Sequence, residues 1–98
     1  MQGSSLVAPE VLARYAADAA REIRGVHALV GRRDGVKVSR EQGRLTVEVN
    51  VSLEWEASAP HVGGSVQERV VESLARLTDV RPDAVDVVVS EWHSASPR

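Results

Sequence analysis

Residues 45–56 read Leu-Thr-Val-Glu-Val-Asn-Val-Ser-Leu-Glu-Trp-Glu, an alternation of apolar and polar residues without a break. Successive side chains of a strand point to opposite faces of a sheet. A period of two over a dozen residues therefore predicts a long strand with one buried face and one wet face. The chain also contains eighteen valines, and β-branched residues favour strands. We therefore expect a sheet to be central to the fold.

Shorter strand patterns flank this segment. We predict strands over Val26–Val30 and Val36–Arg40, separated by a turn at Gly31–Gly35 whose Asp-Gly pair is the strongest part of the signal. Glu41–Arg44 is typical of a hairpin connection into the long strand. Val85–Trp92 predicts a final strand.

The final strand has apolar residues on both predicted faces. Regular alternation places Val85, Val87 and Val89 on one face and Val88 and Trp92 on the other. A second apolar face has to be buried somewhere, and another chain is one way to bury it.

Two amphipathic helices complete the pattern. The first is predicted between Pro9, which suits a first helical turn, and Gly25, which suits a C-terminal cap. The second is predicted after Pro60, and its apolar stripe holds Val62, Val66, Val70, Leu74 and Leu77.

Two helices with one apolar stripe each and a sheet with one apolar face predict an α+β, two-layer sandwich. We expect a small, mostly antiparallel or mixed sheet with both helices packed on one face. Ninety-eight residues suit one domain over 1–98, with an ordered core at about 7–92 and flexible ends at 1–6 and 93–98.

Composition narrows the function classes. The chain has 43% hydrophobic and 27% charged residues and a net charge of −2, which provides no global attraction to nucleic acid or anionic lipid. It has no cysteine, which excludes disulfides and thiolate chemistry. No apolar run approaches the roughly 18 residues of a membrane span, and Met1–Ser5 lacks the features of a signal peptide. We expect a cytosolic protein.

The sequence contains no recognisable catalytic or metal-binding pattern. His27, His61 and His93 are far apart along the chain, and none belongs to a pair with ligand spacing. No serine lies in a nucleophile elbow. Glu54 and Glu56 share the wet face of the long strand rather than a pocket that would perturb one of them. We predict no enzyme activity and no cofactor.

Two surfaces are candidates for binding a partner. The hairpin region has a local excess of positive charge, and its basic residues are Arg32, Arg33, Lys37, Arg40 and Arg44. The outward face of the long strand holds Thr46, Glu48, Asn50, Ser52 and Glu54. A third candidate, for an anion, is the predicted start of the second helix at Gly63, Gly64 and Ser65, where backbone amides could hold a phosphate.

Over about 7–92 the chain resembles the bacterial alkaline-shock protein family, also called the envelope stress response family. The resemblance rests on the order of small apolar motifs: Ile23-Arg24-Gly25-Val26, Gly35-Val36-Lys37-Val38, the alternating strand, Val66-Gln67-Glu68-Arg69-Val70, Leu77-Thr78 and Val85-Asp86-Val87-Val88-Val89. The chain departs from the family at Asp79, where a glycine is common, and at Gly63-Gly64.

The resemblance implies a non-enzymatic cytosolic protein that stays near the inner face of the membrane. Such proteins are held there by small membrane-anchoring partners, support the cell envelope under stress, and associate with themselves or with paralogues. Our leading hypothesis is a scaffold of this kind, with no membrane insertion of its own. The alternative is a nucleic-acid or anion-binding module that uses the basic hairpin and the glycine-rich helix start, and its binding would weaken steeply with salt.

Overall fold

The computed structural model describes residues 7–93. The element order is α1 (Pro9–Arg21), β1 (Val26–Leu29), a short 3-10 turn (Arg32–Gly35), β2 (Val36–Glu41), β3 (Arg44–Leu53), α2 (Ala59–Thr78) and β4 (Ala84–Trp92). The ends expected to be flexible, 1–6 and 93–98, lie outside the described residues except for His93.

The long strand β3 organises the sheet because every other described strand pairs with it. β1 pairs antiparallel with Val51–Leu53, and β2 pairs antiparallel with Arg44–Val49. These two short strands therefore follow one another along one side of β3. β4 pairs parallel with Thr46–Leu53 on the other side. The sheet is mixed and the predicted α+β class is confirmed.

The alternation of apolar and polar residues along β3 places its apolar residues in the core and its polar residues on the other face of the sheet. Its odd-numbered residues from Leu45 to Leu53 are all buried, and Val47, Val49 and Val51 have no exposed surface. The buried faces of both helices share this core, through Leu12, Ala16, Ala20, Val62, Val66, Val70 and Leu74. Because α1 and α2 also contact each other, they form one helical layer over one face of the sheet.

Helix α1 ends earlier than its predicted cap at Gly25. It stops at Arg21, and a turn carries the chain into β1. Gly25 is still required, for another reason: its φ is +103°, and a Cβ there would lie 2.6 Å from a methyl group of Val62. Glycine permits both this backbone conformation and the close approach of α2.

Strand β3 ends at Leu53, three residues before the alternation stops. The chain turns there, with Ala57 N–H donating to Glu54 O at 3.0 Å and Glu56 at a φ of +73°. Trp55 is consequently 57% exposed instead of joining the core. Helix α2 then begins at Ala59, where the Ser58 hydroxyl accepts a hydrogen bond from the backbone N–H of His61.

A bulge in β4 contradicts the predicted faces of its last residues. Val89 is opposite Val51, but Glu91 and not Ser90 is opposite Ser52, so one extra residue is accommodated. Trp92 therefore lies opposite Leu53, and its indole N–H donates to Ala57 O at 3.3 Å. The tryptophan is on the side of the helices, and only Val88 remains as an exposed apolar residue on the opposite face.

Candidate docking face and strand edge

One face of the sheet carries no second layer among residues 7–93. We call it the open face, and it holds Lys37, Ser39, Glu41, Arg44, Thr46, Glu48, Asn50, Ala84, Asp86, Val88 and Glu91. Four of these residues are acidic and two are basic, so the open face is acidic on balance.

The acidic character is concentrated where β3 meets β4. Glu48 and Asp86 are direct register partners on adjacent strands. Neither takes part in any of the ion pairs in the described part of the chain. The Asn50 amide donates to Glu48 at 3.3 Å, but that contact leaves both negative charges in place. Like charges directly opposite each other destabilise a sheet, and Lys37, which is opposite Glu48 on β2, can offset only one of the two negative charges.

The polar residues predicted on the wet face of β3 are not equally accessible. Thr46, Glu48 and Asn50 are half-buried on the open face. Ser52 departs from the expectation: it is only 2% exposed, and its hydroxyl donates to Ala28 O at 3.4 Å. The neighbouring strands β1 and β4 flank it closely. Glu54 lies just beyond the strand and contacts His27.

The five basic residues of the hairpin region do not share one surface. Arg32 and Arg33 are exposed in the 3-10 turn, and Lys37 and Arg44 are on the open face. Arg40 is opposite Leu45 and therefore points to the side of the helices. The structure divides the positive charge that appears clustered in the sequence.

The glycine pair is not at a helix start. Helix α2 begins at Ala59, so Gly63, Gly64 and Ser65 lie in its second turn. Backbone amides beyond the first turn are already bonded within a helix and are not free to hold an anion. The prediction of a glycine-rich helix start is therefore wrong, and the first-turn amides belong to residues preceding Gly63.

The fold brings together two histidines that the sequence analysis treated as unrelated. The rings of His27 and His93 stack with centroids 3.8 Å apart, and His27 Nδ1 is 3.4 Å from a carboxylate oxygen of Glu54. His93, predicted to be in a flexible tail, donates its backbone N–H to Leu53 O. Within residues 7–93 no group of His, Cys, Asp or Glu has an arrangement that could hold a metal ion. Only the strand order could have revealed this contact.

An open groove of about 790 Å³ runs between α1 and the 3-10 turn. Ala17 and Val36 line its apolar part, and Arg14, Arg33 and Asp34 contribute polar groups from its two sides. The sequence does not reveal this groove, because it depends on how α1 packs beside β2.

The outer edge of β4 is the other feature that the sequence did not reveal. No described strand pairs with this edge. The side chain of Gln67, on α2, reaches it and donates a hydrogen bond to Val85 O at 2.9 Å. Val88 is 41% exposed beside it. A nine-residue strand with a free edge is a template for pairing with another chain.

Comparison with known proteins supports the resemblance in the sequence. The sequence profile of the alkaline-shock protein 23 family, described as having a cell envelope-related function, matches residues 1–93. No functionally curated protein matches the chain.

Several solved structures share the fold. A zinc form of a MamM CTD variant superposes with a TM-score of 0.57 at 11% identity, covering 89% of each chain. A manganese form of another MamM CTD variant has a TM-score of 0.55 at 12% identity, covering 84% of this chain and 96% of that one. At such low identity these similarities concern the fold alone. None of the described helices is both long and apolar enough to cross a membrane.

Proposed function

Since the chain belongs to the alkaline-shock protein 23 family, with its cell envelope-related function, we propose that it is a non-enzymatic scaffold of the envelope stress response. It docks onto a membrane-anchored partner at the inner face of the cell membrane and also associates with copies of itself. The partner, and not this chain, provides the attachment to the bilayer.

The observation that carries the proposal is the acidic open face. Glu48 and Asp86 are adjacent on it, neither is ion-paired within the described residues, and Lys37, opposite Glu48 on β2, can balance only one of the two negative charges. Two adjacent carboxylates that keep a net negative charge are well suited to bind a cationic ligand, which would balance the remaining charge.

Membrane-anchored proteins present such a ligand. The cytoplasmic segments next to their transmembrane helices carry an excess of Lys and Arg. The open face is acidic on balance, accessible and without a covering layer among residues 7–93, so it complements a short basic segment of this kind. A bare anionic bilayer would be repelled by the same carboxylates, which favours recruitment through a protein.

The test is recruitment to membranes in the native host. Tagged wild-type protein, an E48K/D86K double variant and an R32E/R33E double variant are crosslinked in cells, and the membrane fractions are compared. We expect the wild type and R32E/R33E to crosslink to the same small transmembrane protein through its basic cytoplasmic segment. E48K/D86K should yield at least tenfold less of that crosslinked product than the wild type while remaining folded.

The controls separate the other possibilities. Equal capture by E48K/D86K would refute docking at the open face, and a loss restricted to R32E/R33E would assign docking to the 3-10 turn. Nuclease treatment that releases all captured material would refute the scaffold and support the nucleic-acid alternative. Protein-free anionic vesicles, which should not bind the wild type, provide the control for direct lipid attachment.

A further inference from the structure

The outer edge of β4 has free backbone groups whose positions follow from the pairing of β3. Asn50 O accepts from Val30 N–H on the β1 side, whereas Leu53 O accepts from His93 N–H on the β4 side. Backbone groups alternate along a strand, so odd-numbered residues of β3 face β4. In a parallel pair, the register partners of those residues point away from β3. The N–H and C=O groups of Val85, Val87 and Val89 therefore point to the outer edge.

This edge lacks several devices that normally prevent strand pairing. β4 contains no proline and no lysine, four of its nine residues are valines, and its two charged residues are Asp86 and Glu91. The bulge lies towards its C-terminal end, which leaves the stretch from Ala84 to Val89 regular. Val88 is 41% exposed on the open face. Pairing with another strand would satisfy the backbone groups and cover this valine.

We propose that two copies of this chain join through antiparallel pairing of their β4 edges, around a twofold axis at Val88. Val87 of each copy is then opposite Val89 of the other, and these two residue pairs exchange four backbone hydrogen bonds. Val88 is opposite its own equivalent in a pair without hydrogen bonds, the type in which side chains are closest. The inference rests on the self-association included in the proposed function and specifies its surface.

Gln67 and the acidic residues select this register over its neighbours. An axis at Val87 would pair Val85 with Val89 and would need Val85 O as an acceptor, where the Gln67 side chain is already bonded. With the axis at Val88, Val85 is opposite Glu91, and the bulge turns the backbone groups of Glu91 towards β3, so no donor from the partner strand is needed there. An axis at Asp86 would place this carboxylate opposite its own equivalent, which is unfavourable. With the axis at Val88, Asp86 is opposite Ser90 and Glu91 is opposite Val85, so no two acids oppose each other.

A second copy is therefore the occupant that the edge fits. The same surface serves both partners in a twofold dimer, so each residue must be compatible with its own symmetry-related neighbours. Val87, Val88 and Val89 meet valines, and each acid meets a neutral residue. The pairing would also join the two open faces into one continuous face, which doubles the number of Glu48–Asp86 pairs available to a membrane-anchored partner.

A single cysteine tests the register directly, because the chain has none of its own. In the proposed dimer the Cα atoms of V88C are about 4.5 Å apart, within the range of a disulfide. D86C is the matched control: it is exposed on the same face, but its two copies are offset by four residues, about 13 Å along the strands. Purified V88C under mild oxidation should form at least tenfold more disulfide-linked dimer than D86C.

A second variant measures association without a disulfide. V88D places two carboxylates opposite each other at the axis. We expect it to raise the dissociation constant of the dimer, measured by sedimentation, at least tenfold. Because Val88 is exposed, its unfolding transition should stay close to that of the wild type. Equal crosslinking of V88C and D86C, or a wild type that stays monomeric at every concentration, would overturn the inference. Both experiments use purified protein and do not involve the membrane partner. The dimer can therefore be refuted while recruitment to membranes succeeds, and recruitment can fail while the dimer is confirmed.

Discussion

Asp83 bonds to Leu45 in two ways, through its side chain and through its backbone. Its Oδ2 accepts from Leu45 N–H at 2.7 Å, and its own N–H donates to Leu45 O at 2.8 Å. The two residues are 38 positions apart, and they join the start of β4 to the start of β3. The parallel pairing of the sheet begins at this contact, since Ala84 is opposite Thr46 immediately beyond it.

We predict that Asp83→Ala lowers the free energy of unfolding by about 1–2 kcal/mol, because the Leu45 N–H loses its acceptor in a buried residue. Asp83→Asn keeps an acceptor oxygen and should lose less than half as much. Urea denaturation followed by circular dichroism measures both. This role would be contradicted if Asp83→Ala were as stable as the wild type, or if Asp83→Asn were destabilised as much as Asp83→Ala.

Asp79 ends α2 in an unfavourable conformation for its residue type. Its φ is +62°, and its negative charge lies at the carboxyl end of the helix. Asp79→Gly should raise the free energy of unfolding by about 0.5–1 kcal/mol, and Asp79→Asn by a smaller amount because it removes only the charge. Thermal unfolding measures the change, with Asp79→Ala as a control that should lower stability. A destabilised glycine variant would show that the carboxylate has an additional role.

Gly63 and Gly64 have no steric reason to be glycine. They lie inside α2, and apart from the adjoining residues and the backbone of the same helix, no described heavy atom lies within 4 Å of where a Cβ would be at either position. Replacing either with alanine should increase stability by about 0.5–1 kcal/mol, since glycine is the more flexible residue in the unfolded chain. Denaturant midpoints of the single and double variants check this. A loss of stability would mean that this helix surface approaches something outside the described structure.

Gly35, in contrast, has no room for a side chain, because it lies between β1 and β2. Its φ is +81°, and a Cβ would be 2.9 Å from Val30 O and 3.0 Å from Asn50 O. Gly35→Ala should cost more than about 2 kcal/mol, combining backbone strain with a clash. Gly43→Ala is the matched control: its φ is +78° but the space around it is open, so it should cost only the strain, about 1 kcal/mol. Equal losses of stability in the two variants would show that the clash contributes nothing.

Local patterns predicted much of the secondary structure correctly. The alternation after Leu45 identified both β3 and its buried face, and the Gln42-Gly43 connection is a tight turn with positive φ at both residues. These signals succeed because strand and turn conformations depend on residues only a few positions apart. Boundaries were less accurate: α1 ends at Arg21 and not near Gly25, and α2 begins at Ala59, where Ser58 caps it, so Gly63 lies inside the helix.

The sequence by itself therefore determined the α+β class, the buried face of β3 and most of the apolar stripe of each helix, since side-chain periodicity is a local property. Leu77, predicted in the stripe of α2, is 50% exposed. Only the tertiary structure decided that β4 lies parallel to β3, which places Asp86 beside Glu48 and leaves Val85, Val87 and Val89 along a free edge. It also decided that a bulge turns Trp92 towards Ala57. Strand order depends on which distant segments bury one another best, and that energy belongs to the assembled core rather than to any stretch of sequence.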